Sequence, residues 1–321
     1  MRYLVCFLIC LGLLLGFFGC QNSPSSLDEW RAPSSRVKVL CTTPIIDDLV
    51  SRIGGERIDH LSLMDRSMDP HSYELVKGDD EKFSVAQLIF FNGLGLEHSA
   101  SLKSQLQEHP HAVALGDEIY RQDPSLILQD RGQADPHIWL DVSLWEKGVD
   151  PIVSHLAKAD PEGASYYEMK GSIVKKELLE LDLWMQSKLK SIPQEKRYLI
   201  TSHDAFNYFA RRYLEQEGSW KDRFCAPEGL SPDGQLGFQD LQRVIDHLQK
   251  NHIRILFPES NVSRDSLNKI VDICREKGFT VEISSRTLFS DTLSDLESKT
   301  LTYEEMMKHN ATVLSEAWSL P

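Results

Sequence analysis

Apolar positions recur three and four apart across residues 159–191, in ADPEGASYYEMKGSIVKKELLELDLWMQSKLKS. Tyr166, Ile173, Val174, Leu178, Leu181, Trp184, Met185 and Leu189 make this a helical stripe rather than a strand alternation. Asp160 supplies an N-cap, Pro161 suits the first helical position, and Pro193 closes the run. At 1.5 Å per residue, about 31 helical residues reach roughly 46 Å. A helix of that length either braces two halves of the chain or serves as the core helix of one domain.

Before it, residues 37–43 form a β-rich run broken by Pro44, and 45–53 have helical spacing stopped by Gly54 and Gly55. Residues 58–63 and 88–92 read as strands on either side of a helix over 77–86. After the long helix, strands over 197–202, 253–258 and 280–283 alternate with helices over 204–213, 241–250 and 266–277. A last helix covers 303–318. Strand and helix alternating in this way predict an α/β fold with parallel sheets. In such sheets ligands gather in loops beyond the carboxyl ends of the strands.

The N-terminus changes the compartment. Arg2 precedes an apolar run from Tyr3 to Gly19, and polarity begins at Gln21, so 1–19 reads as a signal peptide. Cys20 follows directly and is a candidate for lipidation, although Phe17-Phe18-Gly19 lacks the usual leucine of a lipoprotein signal. Cleavage to a soluble periplasmic form is the alternative. Residues 20–36 read as a tether rich in Pro, Ser and charge. Cys41, Cys225 and Cys274 remain in the body. Export permits a disulfide, with Cys225–Cys274 as the candidate pair, against the alternative of buried thiols.

The chain is 41% hydrophobic and 26% charged, as folded soluble proteins are, and its net charge of −13 argues against nucleic acid as a partner. The surface favours cations instead. Two Asp-Pro-His triplets occur, Asp69-Pro70-His71 and Asp135-Pro136-His137, each expected at a strand-to-loop junction. The proline stiffens the backbone that carries the ring, which lowers the entropy lost when a metal fixes it. His203 follows the strand over 197–202. Gly93-Leu94-Gly95 lacks the third glycine of a dinucleotide fingerprint. His60, His98, His109, His111, His155, His247, His252 and His309 read as structural or solvated.

Seven segments in order resemble one family. They are DPHSYE (69–74), FFNGLGLE (90–97), DPHIWLD (135–141), SHDAFNYFARRY (202–213), GLSPDGQLGFQDL (229–241), FPESNVS (257–263) and LFSDTLS (288–294). Together they resemble the solute-binding proteins of bacterial ABC importers for zinc, manganese or iron, the ZnuA/TroA/PsaA group, in its TroA-like form with three histidines and one aspartate. The resemblance implies two α/β lobes, 37–159 and 193–321, joined by a rigid helix over 160–192, with the metal between them. It implies His71, His137, His203 and Asp291 as ligands, and one zinc, manganese or iron ion as the transported cargo. It further implies a permease with its ATPase as partner, action as a monomer, and no catalysis. The His- and acid-rich loop of many zinc-specific members is absent from 120–134, and 214–226 interrupts the region after the third ligand.

Three imidazoles and a carboxylate suit borderline divalent ions rather than magnesium or calcium. Asp291 binding through both oxygens would make the ion five-coordinate. The imidazoles need acceptors for their other N–H groups, for which Asp204 and Glu259 are candidates. Protons compete for the same nitrogens, so the ion should be lost in mild acid. Two other readings remain. A secreted metal-dependent hydrolase fits three histidines with an open position, but no HExxH is present. A surface adhesin could use the same fold.

Overall fold

In a computed structural model of the chain, residues 26–215, 220–232, 236–293 and 302–319 are described. The expected signal peptide, 1–19, and Cys20 lie outside them. The chain divides after Pro33 into two compact units. In the first, Ser26–Arg31 is a short helix, α1, within the stretch expected to be an irregular tether. Among the described residues, no helix is long and apolar enough to cross a membrane.

The second unit opens with β1 (Val37–Cys41), all five residues buried, as the central position in a parallel sheet requires. Thr43 caps and Pro44 starts α2 (Pro44–Gly54), which is followed by β2 (Ile58–Ser62). Next come α3 (Asp79–Val85), β3 (Leu88–Phe91), α4 (Ala100–Glu108), β4 (Ala112–Ala114) and α5 (Leu115–Gln122). The strands form a four-stranded parallel sheet in the order β2-β1-β3-β4, with Val39 opposite both His60 and Leu88. Strand β4 and its flanking helices are additions to the sequence expectation. A small antiparallel hairpin, β5 (Gln129–Asp130) with β6 (Gln133–Ala134), delivers the second Asp-Pro-His. That triplet therefore leaves a hairpin, not a strand of the parallel sheet.

Helices α6 (Val142–Trp145) and α7 (Val149–Ala159) lead to the long helix α8 (Ala164–Lys190). The Asp160 side chain does act as a cap, but over a 3-10 turn, Pro161–Gly163, that precedes the α-helix proper. The α-helix is 27 residues, about 40 Å at the standard rise. Its buried face is Tyr167, Gly171, Val174, Leu178, Leu181, Asp182, Met185 and Leu189. Ile173 and Trp184, expected in the stripe, are 45% and 37% exposed, so the true face is rotated toward Tyr167 and Gly171. That face packs on α2, α6 and α7 from the preceding half of the chain.

Beyond it lie β7 (Leu199–Ile200), the single turn α9 (Asn207–Phe209), β8 (Phe224–Cys225), α10 (Phe238–Lys250), β9 (Ile255–Leu256), α11 (Asp265–Glu276), β10 (Glu282–Ile283) and α12 (Tyr303–Ser319). Strands β7 and β8 pair in parallel, as do β9 and β10. Phe257 N–H to the Ile200 carbonyl, 2.8 Å, joins the two pairs. Helix α12 returns to pack on α8. The helix expected over 204–213 is instead α9 followed by a π-turn, Ala210–Leu214. Tyr213 Oη in that turn donates to Asp182 Oδ1 at 3.0 Å, and Arg212 Nε does so at 3.1 Å. The one buried acid of the long helix thus fastens the segment that follows His203.

One hydrophobic cluster runs from Val37 through α8 to Trp318, and a second, smaller one is confined to the later half, around Val244, Leu256 and Ile270. The long helix is the shared floor of the first. Gly171 makes this close approach possible. A Cβ there would sit 2.6 Å from Val153 Cγ2 and 3.4 Å from Val149 Cγ1, both on α7. Gly171→Leu should therefore force α7 away and lower stability by about 1–3 kcal/mol, read as a lower urea midpoint. An unchanged midpoint would show that the contact is slack.

The Cys225–Cys274 bridge does not form. Both are separate buried thiols, as is Cys41. Cys225 ends β8, where Arg243 Nη1 lies 3.1 Å from its sulfur, while Cys274 sits in α11 against the apolar cluster. Burial pushes the Cys225 thiol up to about 11, which keeps it protonated and unreactive.

Candidate metal centre

The four expected ligands meet. His71, His137, His203 and Asp291 each offer one donor atom, and these atoms all lie within 4.8 Å of one another. The four side chains are 3%, 0%, 0% and 1% exposed. His71 and His137 precede α8; His203 and Asp291 follow it.

Each is positioned by its own local chemistry. His71 lies in the loop after β2, where Asp69 Oδ1 accepts the His71 backbone N–H at 3.0 Å and Asp69 Oδ2 takes the Ser72 hydroxyl at 2.9 Å. Asp135 makes the same turn for His137, accepting its N–H at 3.0 Å, but it also takes the ring Nδ1 at 2.7 Å. The two Asp-Pro-His triplets are therefore alike in backbone and different in chemistry. Tyr208 Oη holds the Asp135 carbonyl at 2.8 Å.

His203 follows β7. Its Nδ1 lies 2.7 Å from Glu259 Oε2, while Glu259 Oε1 accepts the backbone N–H groups of Ser202 and His203 at 2.8 and 3.0 Å. One buried carboxylate fixes both the loop and the ring. Glu259 lies three residues beyond β9, where it makes an isolated parallel bridge to Leu288. This carries the sheet pairing on to the loop of Asp291. Trp139 Nε1 donates to the Ser290 carbonyl at 2.6 Å, and Asn261 Nδ2 to Asp291 Oδ2 at 3.0 Å.

The free edges of the rings then point inward. His71 Nε2 and His137 Nε2 are 3.1 Å apart. Asp291 Oδ1 lies 3.7 Å from His137 Nε2 and Oδ2 lies 3.3 Å from His203 Nε2. Metal–nitrogen bonds of about 2.0–2.1 Å in tetrahedral array would place neighbouring donors about 3.3 Å apart. The observed spacing can thus close on a single ion with little movement. Carboxylates on Nδ1 of His137 and His203 set the tautomer and raise the basicity of Nε2.

The electrostatics suit a cation. Burial works to raise the Asp291 carboxyl, but His203, His137 and His71 together hold it well below the usual carboxylate range. Burial likewise disfavours charge on His203, yet Glu259 and Asp291 outweigh it and push that imidazole well above its ordinary value. For His71 burial wins: it keeps the imidazole well below its ordinary value against the pull of Asp291.

Of the two acceptors expected from sequence, Glu259 takes that role for His203. Asp204 does not: burial, with Asp135 and Asp130, pushes its carboxyl up to about 6, and it is its backbone carbonyl that accepts Asn207 Nδ2, at 3.2 Å. Asp135 is the acceptor the sequence reading passed over, although it stands two residues from His137 in the repeated triplet. Asn261 and Trp139 were also missed. Both lie inside segments that carried the family resemblance, but neither residue type signals a metal partner by itself.

Parallel half-sheets before and after a spanning helix, with two donors from each half buried around one point, define a metal-capturing binding protein of the two-lobe type. The chain belongs to the family described as zinc-uptake complex component A, periplasmic, whose model matches residues 39–317. It is 37% identical over 310 residues to the metal-binding protein YtgA of Chlamydia trachomatis, covering 94% of this chain and 93% of that one. It is 33% identical to the manganese-binding lipoprotein MntA of Bacillus subtilis, over 89% of this chain and 91% of that one. The crystal structure of Fe(III)-bound YtgA superposes with a TM-score of 0.82 at 36% identity, covering 88% of this chain and 98% of that one. The periplasmic zinc-binding protein TroA of Treponema pallidum gives 0.80 at 28% identity, over 89% of this chain and all of that one (100%).

Proposed function

We propose that this protein captures one transition metal ion, zinc, manganese or iron, between His71, His137, His203 and Asp291, and delivers it to the permease and ATPase of an ABC importer. The convergence of four buried donors, two of them backed by carboxylates, is the observation that carries the reading. Relatives described as binding iron, zinc and manganese support the same range of cargo. A set of three nitrogens and a carboxylate ranks zinc above iron and manganese by intrinsic affinity, so supply and the membrane partner select the ion carried.

We assign residues 37–159 and 193–321 to the two lobes and 160–192 to the link between them. Because each lobe supplies two ligands, the ion joins them, while α8 limits their relative movement. Export by residues 1–19 places capture outside the cytoplasm. The lipoprotein description of the MntA relative supports anchoring through Cys20. We read the protein as a transport component rather than an enzyme, with Asp135 and Glu259 serving to orient His137 and His203.

The reading is tested by thermal unfolding of the metal-stripped mature protein against zinc, manganese and ferrous iron in turn, the last without oxygen. An ion at about 1,000 times its dissociation constant should add roughly 4 kcal/mol of stability. No shift with any of the three would overturn the four-residue site.

A further inference from the structure

The ion must reach a buried site, and one further histidine stands on its path. A cleft of about 740 Å³ opens beside the four donors, lined by His71, His98, Leu94, Gln133, Gly229 and Leu230 among others. Of the four donors, only His71 lines it. His98 is exposed at this cleft, and it is near enough to His71 for the charges of the two rings to influence each other.

His98 is also oriented. Its Nδ1 lies 3.1 Å from the Leu96 carbonyl, which can only accept, so in the neutral ring the proton sits on Nδ1 and Nε2 carries the lone pair. The loop that carries it is stiff. Gly93, Leu94 and Gly95 take three consecutive positive φ values of 73°, 54° and 86°. The neighbouring Glu97 is buried and accepts the Asn92 and Gly93 N–H groups at 2.8 and 3.0 Å and the Thr42 hydroxyl at 2.8 Å. Leu94 N–H is tied to Asp117 Oδ1 at 2.9 Å. A solvated surface histidine needs no such scaffold. Here the chain fixes an exposed imidazole on the same cleft that the buried His71 lines.

A hydrated transition metal ion exchanges its waters for ligands one at a time. A donor at the mouth lets the ion lose its first waters while still partly solvated, before it meets the buried imidazoles. We propose that His98 is a transit ligand, taking an incoming divalent transition metal ion through Nε2 and passing it to His71. This rests on the four-residue site as the place of binding. The ion returns by the same path, so a transit ligand speeds capture and release alike and leaves the equilibrium constant unchanged.

The experiment is stopped-flow association and dissociation of Zn²⁺, with a chromogenic chelator as competitor, for the mature wild type and His98→Ala. Both rate constants should fall about fivefold or more, since each tenfold is only 1.4 kcal/mol of barrier. The dissociation constant should stay within about twofold and the metal-free unfolding temperature should not change. A merely structural role would not slow both rates equally. Unchanged rates in a variant that still binds would overturn the transit role alone. A weakened equilibrium affinity with faster release would overturn it too, by making His98 a resident ligand. Failure of the wild type to bind Zn²⁺ would overturn the four-residue reading and the transit role together.

Discussion

Asp291→Ala is expected to abolish the stabilisation that metal gives, lowering affinity by about 1,000-fold, or roughly 4 kcal/mol. Asp291 is the one anionic donor among the four. Its two oxygens reach toward His137 and His203 separately, so its removal takes away charge and leaves one side of the ion open. What remains is three neutral imidazoles in a buried pocket, a poor place for a divalent charge. The measurement is the metal-induced rise in unfolding temperature, compared at one metal concentration with that of the wild type. Asp291→Asn should recover little, since the amide keeps the shape and one oxygen but not the charge. A variant that still shows the full rise would place the ion elsewhere.

Glu259→Ala should show the second large effect, and here stability falls even without metal. The side chain accepts two backbone N–H groups and lies 2.7 Å from His203 Nδ1, and both residues are buried. Removing it leaves those donors unpaired and strands the His203 charge, at a cost of about 3–5 kcal/mol for a broken buried pair. Metal affinity should fall in addition by about 10–100-fold, because Nε2 loses both its orientation and the basicity that the carboxylate lends it. Urea unfolding of the metal-free protein and metal titration of the folded fraction separate the two losses. Glu259→Gln keeps an acceptor for the backbone and should lose less stability than Glu259→Ala. Equal losses in both variants would mean that charge, not hydrogen bonding, dominates.

Three of the four expected donors stood out in the sequence: two Asp-Pro-His triplets and a histidine after a strand, on either side of one long helix. Asp291, an ordinary loop acid by itself, was implied only by the family resemblance. What holds them was less so. Asp69 and Asp135 are identical in local sequence, yet only Asp135 reaches its histidine's ring. The difference is set by the loops around them, which no spacing rule encodes. Glu259 was legible from its place after a strand, whereas Asp204, beside His203 in sequence, meets Asn207 through its backbone carbonyl and backs no imidazole. Adjacency along the chain is a weak guide to where a side chain points once a strand has ended.

The long helix shows the same division. Its existence and much of its inward face, Val174, Leu178, Leu181, Met185 and Leu189, followed from periodicity, but Asp182 and Gly171 occupy inward positions that hydrophobicity cannot mark. Asp182 is inside because Tyr213 and Arg212 satisfy it, and Gly171 because α7 lies too close for a side chain. The π-turn at Ala210–Leu214 likewise interrupts a stretch whose pattern reads as plain helix. Pairing Cys225 with Cys274 failed for a related reason. Both belong to the same apolar cluster, but burial in one cluster does not by itself aim two thiols at each other.

The most direct measurement is X-ray absorption at the metal edge of the protein loaded in turn with zinc, manganese and ferrous iron, together with metal analysis. One ion per chain is expected, with the multiple-scattering pattern of about three imidazoles and carboxylate oxygen, lost in Asp291→Ala and His137→Ala. Sulfur in the coordination sphere, fewer than two imidazoles, or no retained ion would contradict it.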